Sequence, residues 1–145
     1  MAKGVYVLIL GLDDDRDITV GKRRRYRFRK GWYAYVGSAL SGLERRLRRH
    51  LSNTKSRHWN IDYLLEGTSI RNIIYAESGE RKECDVAQRL SQRLAVVEGF
   101  GCSDCRCCSH LFFCSEHKML ENSTIASCIC ALYLPTTTIC PPGKH

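Results

Sequence analysis

Residues 4–12, Gly-Val-Tyr-Val-Leu-Ile-Leu-Gly-Leu, are apolar at almost every position, odd and even alike. Side chains of a strand point alternately to its two faces, so a segment with no polar face must be covered on both. The run is rich in Val, Ile and Leu and is bounded by Gly4 and by Asp13, Asp14 and Asp15, which marks a strand rather than a helix. The chain therefore needs a sheet with this strand near its centre and helices packed around it.

The segments that follow supply those partners. Ile18–Gly21 and Tyr26–Phe28 read as short strands around a turn at 22–25, Trp32–Ala39 as a longer strand with aromatic alternation, and Ile70–Ala76 as another. The spacing of Leu43, Leu47 and Leu51 predicts a helix over 42–51, with shorter periodicity over 58–65 and an amphipathic pattern over 83–95. The expected fold class is α+β, a small antiparallel sheet flanked by helices. Residues 100–110 form a Gly- and Cys-rich loop leading to an edge strand at Leu111–Phe113. Beyond Cys114 the text changes to Ser and Thr clusters and Pro141-Pro142. Residues 1–114 are expected to form one domain and 115–145 a divergent, loosely attached tail.

Charge narrows the partner. The chain carries a formal +8, and residues 16–57 alone hold fourteen Lys or Arg against Asp17 and Glu44. A polyanion is favoured, because each phosphate met by Lys or Arg releases condensed counterions. DNA leads, with RNA an open alternative and a solvated basic face the plain one. Neither a membrane nor a small organic cofactor is expected. The run at 4–12 is followed by acids where a signal peptide needs small residues, and Thr124–Leu134, the best apolar stretch elsewhere, falls short of the ~20 residues that span a bilayer. Nine cysteines, an odd number, suit a reduced cytoplasmic chain better than a disulfide framework.

On the helix over 42–51, Arg46 and His50 border the leucine stripe, where a site could form or an Arg stem could cover the core edge. Arg45, Arg48 and Arg49 fall on the far side, in water or against phosphate; with Lys55, Arg57 and His58 they are the candidate nucleic-acid contacts. Glu83 begins its helix in line with Ala87, Leu90 and Leu94, so it answers either the helix N-terminus or a hard cation. Tyr33 and Tyr35 share a strand face with Gly37, whose missing side chain would admit a phosphate. Tyr6 lies in the central strand; buried tyrosines often serve only as core anchors.

Taken in order, Gly4-Val5-Tyr6, Tyr35-Val36-Gly37, Arg46 and Glu83 resemble the signatures of the GIY-YIG nuclease superfamily. The Uri-type branch is closer still, through Tyr35-Val36-Gly37-Ser38-Ala39, Arg49-His50-Leu51, His58-Trp59, Ile61-Asp62-Tyr63-Leu64-Leu65, Glu83-Cys84, and Gly99-Phe100-Gly101 before Ser103-Asp104-Cys105. The likeness covers about residues 3–114. The middle residue of each signature is Val, and Asn60 stands where the branch commonly has histidine.

The resemblance implies a three-stranded antiparallel core and Mg²⁺-aided hydrolysis of DNA phosphodiesters in repair or processing, with Mn²⁺ as a substitute. It makes Glu83 the metal ligand, Tyr6 the general base with Arg46 favouring its phenolate, Tyr35 a residue that orients Tyr6 or holds a phosphate oxygen, and His50 a hydrogen-bond partner of a phosphate or the nucleophilic water. His58 and Asp62 read as a helix-surface pair. The rival is a module that binds nucleic acid without cutting it. Cys102, Cys105, Cys107, Cys108 and His110 are residue types that bind zinc, with Cys102-x-x-Cys105 one half of a site and no evident second half.

Overall fold

A computed structural model describes residues 3–22, 24–39, 42–52, 59–101, 107, 109–132 and 137–139. Strand β1 (Gly4–Leu12) is followed by β2 (Arg16–Val20), β3 (Arg24–Phe28), β4 (Gly31–Ala39), α1 (Leu43–Leu51), α2 (Asn60–Leu65), β5 (Ser69–Glu77) and α3 (Glu83–Ser91). Then come β6 (Ala95–Val96), β7 (Leu111–Cys114), α4 (His117–Leu132) and β8 (Thr137–Ile139). The main sheet has the order β6-β7-β4-β1-β5-β8, every pair antiparallel. Strand β1 is central, as its two apolar faces require. The three long strands β4, β1 and β5 form the expected core, and shorter strands extend it on both sides.

The parity of β1 divides the interior in two. Val5, Val7 and Ile9 meet Val86, Ala87 and Leu90 of α3 and Leu120 and Cys128 of α4. Tyr6, Leu8, Leu10 and Leu12 meet Leu43 and Leu47 of α1, Ile61 and Leu64 of α2, and Val20 and Phe28 of the β2–β3 hairpin. That hairpin is a separate two-stranded sheet, turning at Gly21 with φ 69°, a left-handed conformation that glycine adopts without strain.

Four expectations are corrected. The turn is tighter than 22–25, because Arg24 and Arg25 already belong to β3. Helix α3 stops at Ser91, and Ala95 instead opens β6, although Leu94 remains buried. Strand β7 is not an edge, since β6 pairs along its outer side. The segment after Cys114 is not loosely attached: α4 lies on the sheet with Leu120, Thr124, Ser127 and Cys128 buried, and β8 pairs with β5. Among the described residues, no helix is long and apolar enough to cross a membrane.

Candidate active site and thiol cluster

The glycines of the two signatures make room for different neighbours. In the β1–β4 register Tyr6 stands opposite Gly37, and a Cβ at Gly37 would run into the Tyr6 phenol, with Cε2 only 2.8 Å away. Gly37 therefore makes room for a tyrosine ring and not for a phosphate, a correction to the sequence reading. A Cβ at Gly4 would strike the Ala76 carbonyl oxygen and come within 2.9 Å of Leu43, so α1 packs closely on β1 only because that side chain is absent.

Tyr6 is 1% exposed, and its hydroxyl lies 2.6 Å from His50 Nε2. His50 comes from the last turn of α1 and is itself 1% exposed, so its ring serves Tyr6 rather than reaching into solvent towards phosphate. Burial pushes the Tyr6 phenol up to about 12; the Arg46 guanidinium pulls the other way, by its charge and as a hydrogen-bond donor, and is outweighed. Arg46 alone does not make Tyr6 a phenolate near neutral pH.

Arg46 is half-buried, with its guanidinium 4.2 Å from the centre of the Trp59 ring. Among the described residues no carboxylate pairs with it. Arg49, one turn away, also lies 4.2 Å from the Trp59 ring but is engaged differently. Its two terminal nitrogens donate to both oxygens of Asp62, at 2.9 and 2.8 Å, while the Trp59 backbone N–H donates to Asp62 at 2.9 Å. Asp62 is 1% exposed, so this charge is buried and fully engaged. Arg49 is thus a tie between α1 and α2 and not a free phosphate contact, and Asp62 is buried rather than on the helix surface. A helical wheel places Arg49 by angle but cannot show the acid that α2 presents to it.

Tyr35 is half-buried, its ring 6.4 Å from His50 and 6.3 Å from Phe100. Burial raises its pKa, and the charges of Arg46 and Glu83 both act on it. Glu83, half-buried in the first turn of α3, acts on Tyr6, Tyr35 and His110 alike. Among the described residues it enters no ion pair. Tyr6, Tyr35, Arg46, His50 and Glu83, far apart in sequence, are therefore neighbours in the fold. Tyr33 belongs elsewhere: its hydroxyl donates to the Arg29 carbonyl at 2.6 Å.

Arg45 and Arg48 are exposed and, with Glu44 and Arg49, line an open groove. Arg48 pairs with Glu44 at 2.6 Å, an exposed i,i+4 contact worth little in water. Lys55, Arg57 and His58 lie outside the described residues, as do Cys102, Cys105 and Cys108.

Cys107 and His110, the described members of the cysteine-rich segment, meet a residue that sequence reasoning left unused. The donor atoms of Cys84, Cys107 and His110 all lie within 4.8 Å of one another, a group that could hold a metal ion. Cys84 follows Glu83 directly, and its Sγ is 3.9 Å from His110 Nε2. Burial lowers the His110 pKa, against a smaller opposing effect of Glu83.

The family model described as a domain of unknown function, DUF123, matches residues 5–132. No curated protein and no solved structure matches the chain.

Proposed function

This chain belongs to the DUF123 domain family, and we propose that it is a metal-dependent endonuclease of GIY-YIG type, Uri-like branch, that hydrolyses DNA phosphodiesters in repair or processing. The observation that carries the reading is the buried Tyr6 hydroxyl held by His50 and Arg46, beside a Glu83 with no ion-pair partner among the described residues. A fold has little reason to keep an unpaired acid beside two desolvated tyrosines unless a ligand completes the arrangement.

Glu83 fits a hard divalent cation: it offers carboxylate oxygen, it is partly accessible, and no cation of the described residues neutralises it. Mg²⁺, or Mn²⁺ in its place, would stabilise the leaving oxygen there. The remaining work falls to the chain. With a pKa of about 12, Tyr6 holds its proton at neutral pH, and His50 Nε2 is placed to accept it. Tyr6 passes its proton to His50 as its oxygen takes one from the attacking water. The water oxygen bonds to phosphorus, the bond to the leaving sugar oxygen breaks, and that oxygen takes a proton from solvent. Arg46, permanently charged and backed by Trp59, neutralises charge gathering on the phosphate. Arg45 and Arg48, with Lys55, Arg57 and His58, hold the DNA backbone.

The high Tyr6 pKa favours a second reading, a module that binds nucleic acid and does not cut it. Incubating labelled single-stranded, duplex and branched DNA with the protein in Mg²⁺ or in EDTA separates the two. Metal-dependent cutting, lowered about 100-fold or more in Glu83→Ala while affinity holds, supports the nuclease. Tight binding without cutting gives the module, and wild-type cutting by Glu83→Ala removes Glu83 from the mechanism.

A further inference from the structure

Cys84 and the pair Cys107 and His110 reach one point from separated parts of the chain. Cys84 stands in the first turn of α3, and His110, 26 residues later, immediately precedes β7. Two thiols and one imidazole are soft and borderline donors, a set that discriminates against Mg²⁺ and suits zinc. With Zn–S near 2.3 Å and Zn–N near 2.0–2.1 Å, a tetrahedral site needs sulfur–nitrogen edges of about 3.6 Å. The Cys84 to His110 separation is 3.9 Å, a few tenths of an ångström from that edge, and all three donor atoms lie within 4.8 Å of one another, so closure by about 1 Å or less would form the site.

The backbone at His110 is held on both sides. The His110 backbone N–H donates to the Phe100 carbonyl at 2.7 Å, and its carbonyl accepts from Val36 N–H at 2.9 Å, which pins it to β4. The Ser109 hydroxyl braces the same turn by accepting from Leu111 N–H at 3.0 Å. On the other side, α3 begins at Lys82 without any side-chain cap. A thiolate at Cys84 would supply negative charge where the exposed helix N–H groups favour it.

We propose that Cys84, Cys107 and His110 form a zinc site that clamps the first turn of α3 to the segment entering β7. The three ligands leave the fourth tetrahedral position for water or a further thiol. Since Glu83 precedes Cys84, the clamp also fixes the backbone that carries the acid. Only that last consequence rests on the nuclease reading; zinc binding stands or falls without it.

The test uses the full chain, purified reduced and without chelator, and involves no DNA. Elemental analysis should find about one zinc per chain, and exchange for Co²⁺ should produce the intense absorption of thiolate-to-cobalt charge transfer. Cys84→Ser and Cys107→Ser should each weaken that band, and His110→Ala should lower affinity at least tenfold. Cys114→Ser, outside the cluster, should leave the band intact. Zinc below a tenth of stoichiometry after incubation with zinc and desalting overturns the proposal, as does an undiminished band in Cys84→Ser. Should Cys84→Ser fail to fold, Cys107→Ser and His110→Ala decide, an undiminished band in both overturning the proposal.

Discussion

The two faces of β1 are built from one run of sequence and do different things. Its odd positions, Val5, Val7 and Ile9, enter a cluster that is mostly apolar, to which α4 adds Cys128 and the buried hydroxyls of Thr124 and Ser127. Its even positions lead with Tyr6, and the helices above them bring His50 and Asp62 into the same interior. Burying a polar group costs free energy unless it finds a partner. On this face each does: Tyr6 with His50, and Asp62 with Arg49 and the Trp59 N–H. On the proposed reading the even face carries the chemistry, and the glycines at 4 and 37 make that crowded face possible.

Substitutions can break this division. The largest stability loss should come from the packing face: Ile74→Ala, at a site with no exposure, should cost about 2–5 kcal/mol in denaturant unfolding. Cleavage per folded molecule should stay near wild type. On the other face, Asp62→Asn removes a buried charge from Arg49 but keeps an amide of similar shape. It should cost about 1–3 kcal/mol and also slow cleavage several-fold, because Trp59, which backs Arg46, loses its anchor. Equal effects of both variants on rate per folded molecule would erase the contrast.

A pH titration sharpens it. Burial raises the Cys128 thiol from its ordinary 9.0 to about 12, and the Tyr6 and Tyr33 phenols from 10.0 to about 12. The fold holds these groups protonated, so their stabilisation is complete below the unfolded values and is lost as pH rises towards 12. The thiol begins to titrate first. Unfolding free energy should fall by about 1.4 kcal/mol on reaching pH 10 through Cys128 alone, and Cys128→Ala should lack that early decline. The smallest effect belongs to the outer surface. Arg45→Ala with Arg48→Ala should leave stability within about 0.5 kcal/mol, weaken DNA binding a few-fold, and flatten the log affinity against log salt slope by about 2.

How far the sequence could be read follows the same division. The apolar run of β1 shows its central place directly, and the order of Tyr6, Tyr35, Arg46 and Glu83 picks out residues that the fold gathers. Contacts between elements were not legible. Arg49 looks free on a helical wheel because its acid lies on another helix, and Cys84 looks idle because His110 is 26 residues away. Helix α4 escaped notice because its inward side includes Thr124, Ser127 and Cys128 rather than a leucine stripe. Thr124 can be buried because its hydroxyl donates to the Leu120 carbonyl at 2.8 Å, a pairing that hydrophobic periodicity does not reveal.

The most direct test of the division is single-turnover cleavage of labelled DNA by Tyr6→Phe beside wild type, with folding and DNA affinity measured on the same samples. Removing one hydroxyl should cost about 1 kcal/mol of stability and leave affinity within a few-fold, while the cleavage rate falls about 100-fold or more. A folded Tyr6→Phe protein that cuts at the wild-type rate would contradict the account, and would make the buried tyrosine a core anchor.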